Sequence, residues 1–189
     1  MSYDKFAKMV AMGIIRIDAD GTISVFDRGM FIMATEMLIK FHELIEKDLD
    51  SAKADELMFE IGRYQLLTGS PRFIAKKDEL RRAFPQAPKT GDPALEMGRD
   101  AIEFMGMGNI TIREITKDRG KVILSCPNSP VAREYLKTRG RSKVPACHYL
   151  RGVMEGVLEA VYGRPYESRE VACIATGISQ ECIFEFKIR

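Results

Sequence analysis

Histidine occurs only twice in this 189-residue chain, at His42 and His148, so imidazole chemistry is scarce. There is no run of about eighteen apolar residues, the length a membrane-crossing helix needs. Nucleotide signatures are missing as well. The chain has no Walker loop and no dinucleotide fingerprint, and the glycines of Gly106-Met107-Gly108 lack the preceding strand that a phosphate turn requires. With 29 basic and 27 acidic residues the net charge is +2, too small for strong attraction to a polyanion. The basic clusters Lys76-Lys77 with Arg81-Arg82, and Lys137-Arg139-Arg141-Lys143, are not interleaved with aromatics. They read as solvated faces, so no direct nucleic-acid partner is expected. Met1-Ser2-Tyr3-Asp4-Lys5 lacks the pattern of a secretory leader, which points to a cytoplasmic location. Internal repeats and low-complexity segments are also absent.

Apolar residues make up 46% of the chain, enough for a real core in one domain or one domain with a helical extension. Ile15 and Ile17, then Ile23 and Val25, alternate with polar residues around Asp20-Gly21, which predicts a hairpin. Asp27 is a candidate cap for a helix from Gly29 to Asp48. That helix is apolar over a wide arc through Phe31, Ile32, Met37, Leu38, Phe41, Leu44 and Ile45, and so broad an arc predicts cover on more than one side, including a homodimer contact. A second helix is expected from Ser51 to Leu67, stopped by Gly69-Ser70-Pro71. Residues 83 to 94, with three prolines and a glycine, read as a connector between an N-terminal segment (1–84) and a C-terminal domain (95–189).

A helix from Ala94 to Met105 follows. Ile110 and Ile112, then Val122, Leu124 and Cys126, alternate around Lys117-Asp118-Arg119-Gly120 and predict a second hairpin. Ser129-Pro130 is a cap with proline at the first helical position, opening a helix to about Thr138. Cys147, Leu150, Met154, Val157 and Val161 fall on one side of a helix that should end at Gly163. Two strand-like runs close the chain, Tyr166 to Ala175 and Glu181 to Ile188. The predicted fold is α+β: a four-stranded antiparallel sheet packed on helices, preceded by an N-terminal hairpin and helical pair.

Three of the four cysteines lie in this last stretch, with Glu170 at usable spacing. A two-residue turn at Gly177-Ile178 would set Cys173 opposite Cys182, with Cβ atoms about 4.5–5.5 Å apart. Cys147, Glu170, Cys173 and Cys182 would then suit a closed tetrahedral zinc site. Glu170 and Cys173 differ by an odd number, so sharing one ion requires a late strand start or a bulge at Val171-Ala172. Buried cysteines acting as small hydrophobes, or a Cys173–Cys182 disulfide, are the other readings of the same residues. His148, turned about 100° from Cys147 on the helix, is expected outside the core.

The string Val144-Pro145-Ala146-Cys147, a helix, Tyr162-Gly163-Arg164-Pro165, Arg169-Glu170-Val171-Ala172-Cys173, Gly177 and Cys182-Ile183-Phe184 resembles the 4-vinyl reductase domain family. It is especially similar to the sensor domains of phenol- and xylene-responsive activators. The resemblance implies a structural zinc on Cys147, Glu170, Cys173 and Cys182. More loosely, through Gly62-Arg63-Tyr64 and Gly69, it implies an N-terminal half that helps form a dimer. It also implies a pocket between sheet and helices for a small hydrophobic molecule, and related vesicle-tethering subunits hold an acyl chain there.

Here that pocket would be lined by Phe104, Met105, Met107, Ile112, Leu124, Cys126, Tyr135 and Met154. The positions where the sensors hold a phenol hydroxyl fall near Phe104 and Cys126, which cannot reproduce its hydrogen bonds, so a more apolar hydrocarbon or lipid-like ligand is expected. No ATPase or DNA-binding module follows within the chain, so a stand-alone, non-enzymatic sensor acting through a protein partner is expected. The alternatives are an accessory protein or enzyme of tetrapyrrole vinyl reduction and a purely structural dimerisation module.

Overall fold

The computed structural model describes residues 3–25, 28–30, 32–75 and 93–189. The expected cap Asp27, Phe31, the basic cluster Lys76-Lys77-Arg81-Arg82 and the connector up to residue 92 lie outside the described residues. The chain opens with a helix that the sequence pattern did not reveal, α1 (Tyr3–Ala11). The predicted hairpin follows as β1 (Ile15–Ile17) and β2 (Ile23–Val25), with Asp20 Oδ1 accepting the Thr22 N–H at the turn.

The helix expected from Gly29 does not begin there. Gly29 pairs with Ser24 in a third strand, β3 (Arg28–Met30), and α2 starts at Thr35 (Thr35–Asp48). A three-residue strand is too short to show alternation, and its ladder hydrogen bonds override the weak helical preference of the segment. α1 and the hairpin bury Met9, Ile14 and Ile15 in a small cluster of their own.

The third helix, α3 (Ser51–Ala75), passes through Gly69-Ser70-Pro71 instead of stopping there. Proline inside a helix costs about 3 kcal/mol, which a 25-residue helix docked over its earlier turns can absorb. The C-terminal part comprises α4 (Pro93–Phe104), β4 (Thr111–Ile115), β5 (Lys121–Cys126), α5 (Pro130–Arg139), α6 (His148–Tyr162), β6 (Tyr166–Ala172) and β7 (Cys182–Ile188). The four strands form the predicted antiparallel sheet, in the order β4-β5-β7-β6.

Alternation decides the inner face of that sheet. Val122, Leu124 and Cys126 on β5, Cys182, Phe184 and Phe186 on β7, and Tyr166 on β6 are all buried. They join Leu150, Val153, Met154 and Leu158 of α6 in the main core. Each large apolar side chain removed from water there contributes about 1.5–3 kcal/mol. Ser125, expected to face outward with Arg113, does bond to the Arg113 guanidinium at 2.8 Å, yet it is fully buried beneath it.

α6 is the centre of the molecule, buried from Tyr149 to Glu159 apart from Arg151, which is half-buried. α3 can lie so close to it because glycines stand at the crossing. A Cβ on Gly62 would come within 2.2 Å of the Tyr149 carbonyl oxygen, and one on Gly152 within 2.0 Å of the Phe59 carbonyl oxygen. Buried charge pairs also cross this contact: Arg63 Nη2 lies 2.7 Å from Glu159 Oε2, while Glu159 Oε1 accepts the Tyr166 N–H. As predicted, α6 ends at Gly163, whose left-handed conformation (φ 65°) directs its N–H to the Glu159 carbonyl.

Ser129 caps α5, its hydroxyl accepting the Ala132 N–H at 3.2 Å ahead of Pro130. Ser129→Ala is expected to lower unfolding free energy by about 1 kcal/mol, read from the urea midpoint at unchanged slope.

Candidate metal centre and apolar seam

Cys147 sits at the N-cap of α6, Glu170 on β6, Cys173 just past the end of β6 and Cys182 at the start of β7. β6 carries the irregularity the odd spacing demanded: Glu170 pairs with Phe184, but Ala172 pairs with Ile183, a bulge at Val171. It turns Glu170 and Cys173 toward the same place. The link to β7 is not the expected two-residue turn. It contains a 3₁₀ turn (Ile174–Thr176) closed by Gly177 at φ 71°. Ser142 donates its N–H to the Ala175 carbonyl, tying this loop to the segment before Cys147.

The result is a compact cluster. Cys147 Sγ lies 3.5 Å from Cys182 Sγ and 3.9 Å from Cys173 Sγ, and Cys173 and Cys182 are also 3.9 Å apart. One ligand atom from each of the three cysteines and Glu170 falls within 4.8 Å of all the others. Sulfurs bound at about 2.3 Å to a tetrahedral centre lie about 3.8 Å from one another, close to these distances.

Each sulfur also has a neighbour outside the cluster. Ala146 N–H points to Cys173 at 3.5 Å, Ile174 N–H to Cys182 at 3.4 Å, and the Ser129 hydroxyl lies 3.4 Å from Cys147. Such donors stabilise negative sulfur. Glu170 accepts the Cys147 N–H through Oε2 at 2.9 Å, and its buried Oε1 has no hydrogen-bond partner.

Burial pushes Glu170 up to about 9 and holds Cys147 well above the usual thiol range, whereas hydrogen bonds from Cys147 and Cys182 pull Cys173 down. The buried group of four therefore disfavours full ionisation alone, and a multivalent cation would relieve that cost. These four residues can hold a metal ion.

His148 is not on the surface as expected. Its Nε2 lies 3.1 Å from Asp55 Oδ1 on α3, and His42 Nε2 on α2 lies 2.9 Å from the same oxygen. The packing of α2 and α3 beside α6 brings both histidines to one carboxylate, and nothing in the spacing of 42, 55 and 148 announces it.

Of the proposed pocket residues, Leu124, Cys126 and Met154 are buried in the main core, and Met105, Met107, Ile112 and Tyr135 are half-buried against it. Phe104 is directed elsewhere, against the Met9, Ile14 and Ile15 cluster. Cys126 faces Cys182 across the sheet but stays out of the metal group; burial raises its thiol to about 11.

Beside Met105 lies a polar pair that sequence reasoning missed. The Tyr149 hydroxyl donates to Gln65 Oε1, and Gln65 Nε2 lies 3.7 Å from Met105 Sδ. The only sequence trace of this junction is the spacing Gly62, Gly152 and Gly156, which permits the close helix crossing.

Residues 122–188 match the family model of the 4-vinyl reductase domain. None of the curated protein sequences matches the chain. Among solved structures, the phenol-responsive sensory domain of the transcription activator PoxR, determined with phenol, is similar over 100% of this chain and 91% of that one, at 18% identity and a TM-score of 0.76. A trafficking protein particle complex subunit 3 from Naegleria fowleri, covalently bound to palmitic acid, is similar over 82% of this chain and 95% of that one, at 17% identity and a TM-score of 0.55. A vinyl-4-reductase family protein from Methanocaldococcus jannaschii is similar over 87% of this chain and 86% of that one, at 17% identity and a TM-score of 0.51. At these identities the likeness is one of fold.

Proposed function

With a 4-vinyl reductase type domain over residues 122–188, we propose that this chain binds a small hydrophobic molecule without chemical turnover and passes the binding event to a protein partner. The observation that carries the reading is the seam beside the sheet, where half-buried Met105, Met107, Ile112 and Tyr135 stand over a floor of buried Leu124, Cys126 and Met154. Flexible thioethers adapt to apolar ligands of varied shape. The seam lies in a fold shared with a phenol-bound sensory domain and a palmitate-bound subunit.

Cys147, Glu170, Cys173 and Cys182 would hold a structural zinc, a closed donor set with no position for a substrate water. The ion would fasten the start of α6 to the β6–β7 connection. The 95–189 segment would be the binding domain and 1–84 the dimerisation segment, working in the cytoplasm, where free thiols stay reduced. No helix among the described residues is long and apolar enough to cross a membrane.

Native mass spectrometry of freshly purified protein tests the binding reading. A co-purifying apolar mass supports it. Repeated absence of one, together with a solved structure in which the seam is filled by the protein's own side chains, would leave a structural module.

The outer faces of α2 and α3 favour a homodimer. Met37, Phe41 and Leu44 on one, and Leu57, Ile61 and Tyr64 on the other, recur at helical spacing and are exposed. Sedimentation is expected to show a dimer that Phe41→Glu with Ile61→Glu converts to a monomer, with the melting temperature of the C-terminal domain nearly unchanged. A parent chain that sediments as a monomer at all concentrations would remove this element.

A further inference from the structure

We propose that Gln65, held in place by Tyr149, is the polar anchor of the apolar seam, and that the seam selects apolar molecules carrying one hydrogen-bond-accepting oxygen, such as a ketone or ester carbonyl. The inference rests on the ligand-binding reading and narrows it to a chemical class.

Its basis is an imbalance at the junction of α3, α4 and α6. The Tyr149 hydroxyl donates to Gln65 Oε1, which fixes the sense of the amide and turns its NH₂ toward Met105. There the donor meets a thioether sulfur at 3.7 Å, a weak acceptor. Arg28, which also reaches this turn of α3, is occupied on the helix itself: Nη1 donates to the Gln65 carbonyl and Nη2 to Thr68 Oγ1.

Met105 is a displaceable neighbour. It is half-buried, has three rotatable side-chain bonds, and lies just past the end of α4 beside Gly106, whose φ is 76°. Swinging it aside would free the amide without moving a helix. A carbonyl oxygen arriving in its place is a better acceptor than sulfur, while the ligand's apolar body would lie along Met107 and Ile112. A plain hydrocarbon in the same position would displace the sulfur and leave the amide donor unpaired. Sites built with a polar group discriminate strongly against ligands that cannot satisfy it.

Acetophenone and ethylbenzene differ by one carbonyl oxygen in place of a methylene, so this pair reads the anchor directly. Titration followed by ligand-observed NMR is expected to show acetophenone binding about tenfold more tightly to the parent protein, and about equally with ethylbenzene to Gln65→Leu. Tyr149→Phe, which lets the amide rotate, should give an intermediate ratio, as befits a positioning residue. Thermal melts establish that each variant is folded. Equal affinities in the parent, or a preference that survives Gln65→Leu, would overturn the anchor and leave the binding reading standing. Failure of both probes to bind the parent and also Met105→Ala, where the space is opened, would remove the binding reading and the anchor with it.

Discussion

Gly152→Val is expected to lower the stability of the protein by about 4 kcal/mol or to prevent folding altogether, at the large end of single-substitution effects. The reason is backbone against backbone. A Cβ at Gly152 would sit 2.0 Å from the Phe59 carbonyl oxygen and 2.9 Å from the Arg63 nitrogen, and neither can swing away as a side-chain tip could. α3 and α6 would have to separate along their length, opening the contact that buries Phe59 and Tyr149 and breaking the Arg63–Glu159 pair. Gly29→Ala is the control: a Cβ there meets nothing within 4 Å, so its effect should stay within about 0.5 kcal/mol. Denaturant midpoints of the two variants decide the matter. A Gly152→Val protein as stable as Gly29→Ala would mean the two helices do not approach as described.

Cys182→Ser is the second change with a large expected effect. Under the zinc reading it removes one of four donors, abolishing stoichiometric metal and lowering the melting temperature by about 10 °C or more. Metal release should also depend on pH in a definite direction. In the metal-free cluster burial holds Glu170 near 9 and Cys147 above the ordinary thiol range, so both carry protons at neutral pH that the ion must displace. Binding therefore releases protons and weakens as pH falls, and the chelator concentration needed to strip the metal should drop on acidification. Elemental analysis and thermal melts with and without chelator read both effects. Material kept reduced and never exposed to chelator that holds no metal, and melts at the same temperature after Cys182→Ser, would sink the assignment.

The sheet was legible because strand alternation is a local signal. Ile112, Val122, Leu124, Phe184 and Phe186 announce their inner face without help from the rest of the chain. The bulge at Val171 was legible for a chemical reason: residues three apart on a strand cannot share a ligand unless the register slips.

What failed to show depends on distant partners. Arg28-Gly29-Met30 becomes a strand only because β2 offers an edge. Pro71 fails to end α3 because a local penalty was set against the packing of a long helix. Phe104 looks like a pocket residue by its neighbours in sequence, yet it closes the N-terminal cluster, since the end of α4 lies beside α1 and the first hairpin. Gln65 and Asp55 carried no signal because their partners, Tyr149 and the two histidines, come from elsewhere in the chain.

Cys147 and His148 are adjacent, and they face different parts of the molecule. The first belongs to the sulfur cluster, while the second meets the carboxylate of Asp55, which also holds His42. One peptide unit therefore joins the cluster to the α2–α3 pair. Loosening the cluster would unmoor the near end of α6 and slacken the grip on that pair in the same movement, so the condition of the thiols would be felt on the far exposed face without a messenger between them.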